Sequence, residues 1–310
     1  MSEISNNFYK NGNLMKIKSK YIVIKIFDNI KKSKLLKIIN YNKKVQGLMK
    51  IKLNDYKNEF SKIEIEVIPK ENIYGKFIHL YNKNIKSGIK IYFNDNKEEI
   101  KGNYINPEDN VTKIKIILSY KIKSLSRFFQ YCKCIKIINV IKFNRNNLKD
   151  MSYMLCGCTS LKKINLSKLN TNNVTDMTYM FSGCSSLKEL NLSNFNTNNV
   201  TDISYMFSGC SSLKELNLFN FNTNNVTYMD HMFEGCSSLK ELNLSNFNTN
   251  NVTYMDHMFS GCSSLKELNL SNFNTDKVVL MSYMFSGCFS KLLLICTNNL
   301  INEEYKKLIN

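Results

Sequence analysis

Asn199–Leu218, with the sequence NVTDISYMFSGCSSLKELNL, contains the pattern on which most of the chain is built. The pattern returns every 26 residues, and a cysteine occupies the same position in each copy. A fixed period of this length predicts a repeat protein, in which each unit buries its apolar face by stacking on its neighbours. The period is marked by Cys158, Cys184, Cys210, Cys236, Cys262 and Cys288.

Within one repeat the spacing of the apolar residues changes from two to three or four. Leu190 and Leu192 lie two residues apart, as on one side of a short strand. In the next part of the pattern, Ile203, Met206 and Phe207 follow a polar N-cap at helical spacing and precede a glycine. Each repeat is therefore predicted to contain a strand, a turn, a helix of about two turns and a return. Stacking then gives a parallel sheet on one face and a row of short helices on the other.

The spacing LxxLxLxxF of the strand segment resembles that of leucine-rich repeats. The blocks NVTxMxxMF and GCSSLKELNLSNFNT resemble the BspA-type class of that family, and the resemblance covers about Leu118 to the C-terminus. It implies an α/β solenoid, a leucine-rich-repeat arc that binds other macromolecules. It also implies a relation to surface proteins of bacteria and single-celled eukaryotes, and it supplies no catalytic residue.

Residues 1–118 do not follow the repeat and are predicted to form a small, basic α+β N-terminal region. Helical spacing predicts helices at about 19–46, and this pair resembles an F-box, although the usual Leu-Pro opening is absent. That resemblance implies a ubiquitin-ligase adaptor whose repeats select the substrate. The alternative is two amphipathic helices that pack on the adjoining part of the chain. Alternation of apolar and polar residues predicts β-rich structure at about 62–118.

Residues 119–310 are predicted to form the solenoid. A degenerate first repeat is expected at about 121–150, because Cys132 lies 26 residues before Cys158. A final strand and a charged helix at about 291–310 are expected to form a C-terminal cap. Terminal repeats need an altered outer face because one of their sides has no neighbouring repeat.

The formal net charge of +18 is concentrated in the first half of the chain. Residues 1–150 contain 32 Lys/Arg against 13 Asp/Glu, whereas residues 151–310 contain 11 against 12. We interpret this excess as a solvated lysine surface of a chain rich in lysine and asparagine. Binding of nucleic acid or an anionic membrane through residues 1–150 is the alternative. No apolar stretch approaches 18 residues, so no transmembrane segment is expected.

The ten cysteines do not have the pattern of a disulfide framework. Six are predicted to form a buried, reduced packing column with neighbours at about one strand spacing, ~5 Å. Cys132-x-Cys134 and Cys156-x-Cys158 have the spacing of metal clips, but no histidine or further pair lies nearby in sequence. Reduced cysteines, and an N-terminus without the features of a secretory signal, predict a cytoplasmic location. The cell surface is the alternative that the family resemblance implies.

The residues needed for catalysis are not apparent in this sequence. The chain has three histidines, of which His231 and His257 are interpreted as exposed surface residues rather than ligands. There is no glycine-rich phosphate loop. We therefore expect no enzymatic activity, no cofactor and no bound metal.

The outward side of the strand segments is the expected binding surface. In leucine-rich repeats this face is the usual docking surface, so the resemblance implies a protein partner there. Alternation places a row of glutamates and a row of asparagines outward, and Phe219 is the one apolar residue in a third row of serines. Recent duplication, with no ligand selecting this face, is the alternative explanation of its uniformity. The candidate partner-binding residues are Glu189, Asn191, Glu215, Asn217, Phe219, Glu241, Asn243, Glu267 and Asn269.

Overall fold

The computed structural model describes residues 61–80 and 88–309. The chain divides into two compact units, Met1–Lys62 and Ile63–Asn310, so almost every described residue belongs to the second. The helices predicted at 19–46, with the F-box resemblance, lie outside the described residues. Among those described, no helix is both long and apolar enough to cross a membrane. The elements are β1 (Ile63–Pro69), β2 (Gly75–Lys76), β3 (Ile89–Phe93), β4 (Tyr104–Ile105), β5 (Ile114–Leu118), β6 (Ile135–Phe143), β7 (Lys163–Asn165), β8 (Glu267–Asn269), β9 (Leu293–Ile295) and α1 (Asn299–Ile309), together with a short 3-10 helix at Pro107–Asp109.

The alternating residues of the β-rich region form a five-stranded sheet with the order β3-β5-β1-β6-β7. Strand β1 is antiparallel to both β5 and β6, and β6 is parallel to β7 of the next repeat. The alternate side chains of β1, Ile63, Ile65 and Val67, are buried in the core. The predicted boundary between residues 118 and 119 therefore falls between two strands of one sheet. Burial of one apolar face joins the β-rich region to the first repeat.

Successive repeats lie on one another with a 26-residue offset, as shown by parallel pairing of Asp176 with Asp202. The phenylalanine rings of consecutive repeats are stacked in one buried column. The centroid of the Phe207 ring lies 5.8 Å from those of Phe181 and Phe233. The predicted inward positions of the repeats join a single hydrophobic core. Stacking therefore buries the apolar side of each unit, as the period predicts.

The segment predicted to be a short helix in each repeat is instead a series of turns. Met206 and Ser208 donate backbone N–H groups to carbonyls three residues earlier, but Tyr205 and Phe207 donate to carbonyls of the next repeat. Tyr205 also has a φ of +58°, and Gly209 has a φ of +70°. An α-helix would keep these hydrogen bonds within the segment and all φ angles negative. The prediction of a row of helices is therefore wrong for the described repeats, and their one α-helix is α1.

Strand pairing between repeats is present only in short pieces. Strands β6 and β7 form three parallel pairs, and so do β8 and β9. In the middle of the stack, Glu215 and Glu241 form a single parallel bridge, and the Lys240 amide lies 3.3 Å from the Lys214 carbonyl oxygen. The parallel sheet predicted for this face is thus a ladder of short strand segments.

Buried threonines provide a further link between repeats. The Thr197 hydroxyl donates to the Asn222 carbonyl at 2.9 Å and accepts from the Asn222 amide at 2.7 Å. The hydroxyl of the buried Thr197 thus satisfies both the amide and the carbonyl of Asn222. The same pair of hydrogen bonds is made by Thr171, Thr223 and Thr249.

The predicted cysteine column is present, with all six of its members buried and reduced. Each sulfur donates to a main-chain carbonyl of the preceding repeat, at distances from 3.0 Å at Cys158 to 3.4 Å at Cys184. Burial raises the pKa of the Cys236 thiol to about 12 and that of Cys288 to about 11. These thiols are therefore protonated at neutral pH and act as small packing residues.

The last part of the stack is covered by α1. Ile301 of this helix is fully buried, and the Tyr305 ring makes an edge-on contact with Phe285 at a centroid distance of 5.7 Å. The Tyr305 hydroxyl also donates to the Leu292 carbonyl. The segment predicted to be a cap, 291–310, thus contains β9 and α1.

Candidate functional site

All nine candidate partner-binding residues are exposed on the strand segments, and we refer to them together as the strand face. The leucines that separate them, such as Leu216 and Leu218, are buried. Alternation along each short strand thus fixes the outward direction of the polar side chains. The glutamates and asparagines form two neighbouring rows, and Phe219 belongs to the adjacent row.

Phe219 has the largest exposed fraction of any large apolar side chain among the described residues, 77%. Two depressions in the surface lie on either side of it. One, of about 400 Å³, is lined by Glu215, Asn217 and residues of the following repeat. The other, of about 550 Å³, extends over Glu189 and Asn191 of the preceding repeat. Phe219 therefore borders both depressions, where a partner could cover it.

The asparagines of the strand face are held by their own backbone. The Oδ1 atom of Asn217 accepts from the Phe219 amide at 3.0 Å, and Asn191 accepts in the same way from Ser193. The Nδ2 group of Asn217 makes no hydrogen bond within the part of the chain that the structure describes. The Nδ2 group of each asparagine is consequently held in one direction, and its N–H donors are available to a partner. Asn243 and Asn269 have the same arrangement.

The glutamates of the strand face form a row of negatively charged side chains. In the described ranges, none of the four glutamates of the strand face forms an ion pair. Parallel pairing of Glu215 with Glu241 keeps two carboxylates side by side, where like charges repel. The row therefore offers acceptors that a basic partner would stabilise.

A second column of side chains lies on the turn segments, and we call it the ring column. Consecutive rings are stacked, with centroid separations from 4.1 Å between Tyr205 and His231 to 5.1 Å between His257 and Tyr283. The interpretation of the two histidines as exposed is wrong, because they are stacked and partly buried, and the His231 side chain is only 16% exposed. The signal for this column was the recurrence of a ring at one position of the period. Its members are Tyr153, Tyr179, Tyr205, His231, His257 and Tyr283.

The two cysteine pairs with metal-clip spacing are packing residues in this structure. Cys132, Cys134, Cys156 and Cys158 are all buried and reduced. Burial raises the pKa of Cys134 to about 11 and that of Cys158 further still. A metal site needs thiolates, which these surroundings disfavour.

Comparison with known proteins gives one family and one solved structure. No curated protein matches the chain. The crystal structure of a leucine-rich repeat protein from Bacteroides ovatus ATCC 8483 is 21% identical, over 67% of this chain and 54% of that one, with a TM-score of 0.37. The chain thus spans about half the length of that protein. Residues 123–239 and 213–292, together more than half of the chain, match the family described as "Mycoplasma protein of unknown function, DUF285". The chain belongs to this family.

Proposed function

We propose that the repeats form a leucine-rich-repeat solenoid of the BspA type that acts as a non-catalytic protein-binding module. The strand face is the proposed binding surface. One observation carries this proposal: Phe219 is 77% exposed at a position where four other repeats have serine and only the degenerate first repeat has an apolar residue, Ile141. A serine would serve the fold equally well there, so the aromatic side chain has no structural reason to be exposed. A partner that covers it supplies a reason.

The energy available from this contact is moderate. Burying a phenylalanine side chain contributes about 1.5–3 kcal/mol, which corresponds to a roughly 10- to 100-fold change in affinity. The oriented amide groups and the carboxylates beside Phe219 would add directional hydrogen bonds at the rim. These charges favour a partner whose contact surface presents basic side chains around an apolar pocket.

The test compares the full chain with the variant Phe219→Ser. Serine is the residue at the equivalent positions Ser193 and Ser245, so this change should leave the fold intact. A protein captured from a lysate by the wild-type chain is purified and titrated against both chains. We expect binding to the variant to be weaker by about 10- to 100-fold.

A matched control is Tyr228→Asp, which removes another exposed aromatic residue from a different column. Aspartate occupies the equivalent position in an earlier repeat, at Asp202. We expect this control to bind like the wild type. Equal binding by the wild type and Phe219→Ser, or equal losses in both variants, would contradict a binding site at the strand face.

We also propose a cytoplasmic location. It is supported by the ten cysteines, none of which forms a disulfide and nine of which are buried. Free thiols of this number suit a reducing compartment. Cell fractionation tests the proposal, and labelling of the chain on intact cells by a membrane-impermeant reagent would refute it in favour of the surface location.

A further inference from the structure

We propose that His231, Glu234 and His257 form a binding site for a divalent transition-metal ion, with Zn²⁺ as the ion that suits them best. The three side chains belong to two adjacent repeats. One ligand atom from each lies within 4.8 Å of the others, and Nδ1 of His231 is 3.0 Å from Oε2 of Glu234. Imidazole and carboxylate are common zinc ligands, whereas Ca²⁺ and Mg²⁺ prefer oxygen alone.

Comparison of equivalent positions shows that the three ligand residues differ from the residues that the other repeats have there. Apart from the degenerate first repeat, the other repeats have tyrosine at the histidine positions and cysteine or serine at the position of Glu234. The buried positions of the same repeats are almost unchanged, so the fold does not require the substitutions. Ring stacking would be preserved by tyrosine, and a glutamate adds nothing to it. A ligand set is an explanation that covers all three changes together.

Two more carboxylates reinforce the site, again at positions where other repeats have serine or threonine. Asp230 and Asp256 form a second three-residue cluster with His231, also within 4.8 Å. Oδ1 of Asp256 is buried and has no hydrogen-bond partner among the described residues. An unsatisfied buried carboxylate oxygen is costly, and a nearby cation would stabilise it. The Ser204 hydroxyl already donates to Asp230 at 2.7 Å, which orients that carboxylate.

Metal binding requires a small rearrangement of the rings. The His231 and His257 rings are stacked with centroids 4.5 Å apart and planes at 10°. Zinc ligands lie at about 2.0–2.2 Å from the ion, and hence about 3.4 Å from one another in a tetrahedral site, so ligand atoms that are up to 4.8 Å apart must approach one another by at most about 1.4 Å. Rotation of the partly buried His257 ring out of the column provides this movement. The ligand residues therefore already lie next to one another, and rotation of one side chain completes the binding site.

The test is titration of the full chain with Zn²⁺ by calorimetry, and with Co²⁺ by visible absorption. We expect one ion per chain and a tetrahedral Co²⁺ spectrum without thiolate charge-transfer bands, because the cysteines are buried and protonated. The variants His231→Tyr and His257→Tyr restore the residue of other repeats, and each should abolish this binding. Glu241→Gln, which removes a carboxylate from the strand face instead, should leave it unchanged.

Thermal denaturation keeps the test decisive if a variant is less stable. Zn²⁺ should raise the melting temperature of the wild type and of Glu241→Gln, but of neither histidine variant. Absence of saturable binding by the wild type would overturn the proposal. Binding that persists in both folded histidine variants, or thiolate bands in the Co²⁺ spectrum, would overturn it as well.

Discussion

Removal of one inward leucine from the middle of the stack should destabilise more than one repeat. Leu216 is only 7% exposed, and the equivalent Leu190 and Leu242 occupy the same buried column. Leu216→Ala removes three carbon groups, a transfer loss of about 2.4 kcal/mol at about 0.8 kcal/mol each. The cavity that remains adds to this loss, so we expect a total of about 2–5 kcal/mol. For a unit of this size the melting temperature should fall by roughly 5–15 °C.

The matched control is Leu308→Ala in the last turn of α1, where the leucine is partly buried at the end of the stack. It should cost less, about 1–2 kcal/mol, because less apolar area is lost at this partly buried position. Urea denaturation measures both losses. Hydrogen exchange should show reduced protection in the repeats on each side of Leu216. Equal losses of stability at the two leucines, or reduced protection confined to one repeat, would refute nearest-neighbour stacking.

Four further predictions concern the stack of repeats. Thr197→Val should lower the free energy of unfolding by about 1–3 kcal/mol, measured by urea denaturation, because both backbone groups of Asn222 lose their partner. Gly209→Ala should cost about 1–2 kcal/mol in the same assay, because its φ is +70°. Stability should also decrease as the pH rises above about 9, since burial raises the pKa of Cys236 to about 12 and only the unfolded chain then loses the thiol proton. In thiol labelling of the native chain, the half-buried Cys296 should react first and the column cysteines only after unfolding.

The sequence predicts the stacking well because the inward or outward direction of a side chain repeats with its position in the period. Cys184 and Cys210 are equivalent in sequence, and the structure makes them equivalent in burial and hydrogen bonding. The exposure of Glu215 and Asn217 follows in the same way from their alternation with leucines. Whether a partner uses that face remains a prediction.

The turn segments could not be predicted because apolar spacing alone does not identify the hydrogen-bond partners. Ile203, Met206 and Phe207 have helical spacing, yet consecutive turns bury the same three side chains. What decides against the helix is the pairing of the Tyr205 amide with the next repeat, which is a long-range contact. The strand order of the five-stranded sheet likewise depends on contacts between residues that are far apart in sequence. The histidine cluster was missed because its members come from two repeats and adjoin only after stacking.

The backbone hydrogen bonds between repeats, such as that from the Thr227 amide to the Thr201 carbonyl, join residues 25 to 27 positions apart. Excision or duplication of one whole unit from the interior would leave every such relation as it was, whereas loss of a single residue would put all later columns out of step. The stack can thus become longer or shorter only by whole repeats of 26 residues. Recombination between the similar gene segments that encode the repeats can change the number of repeats without disturbing the five-stranded sheet at one end of the stack or α1 at the other. The number of repeats can therefore change in evolution more readily than the structure of a single repeat.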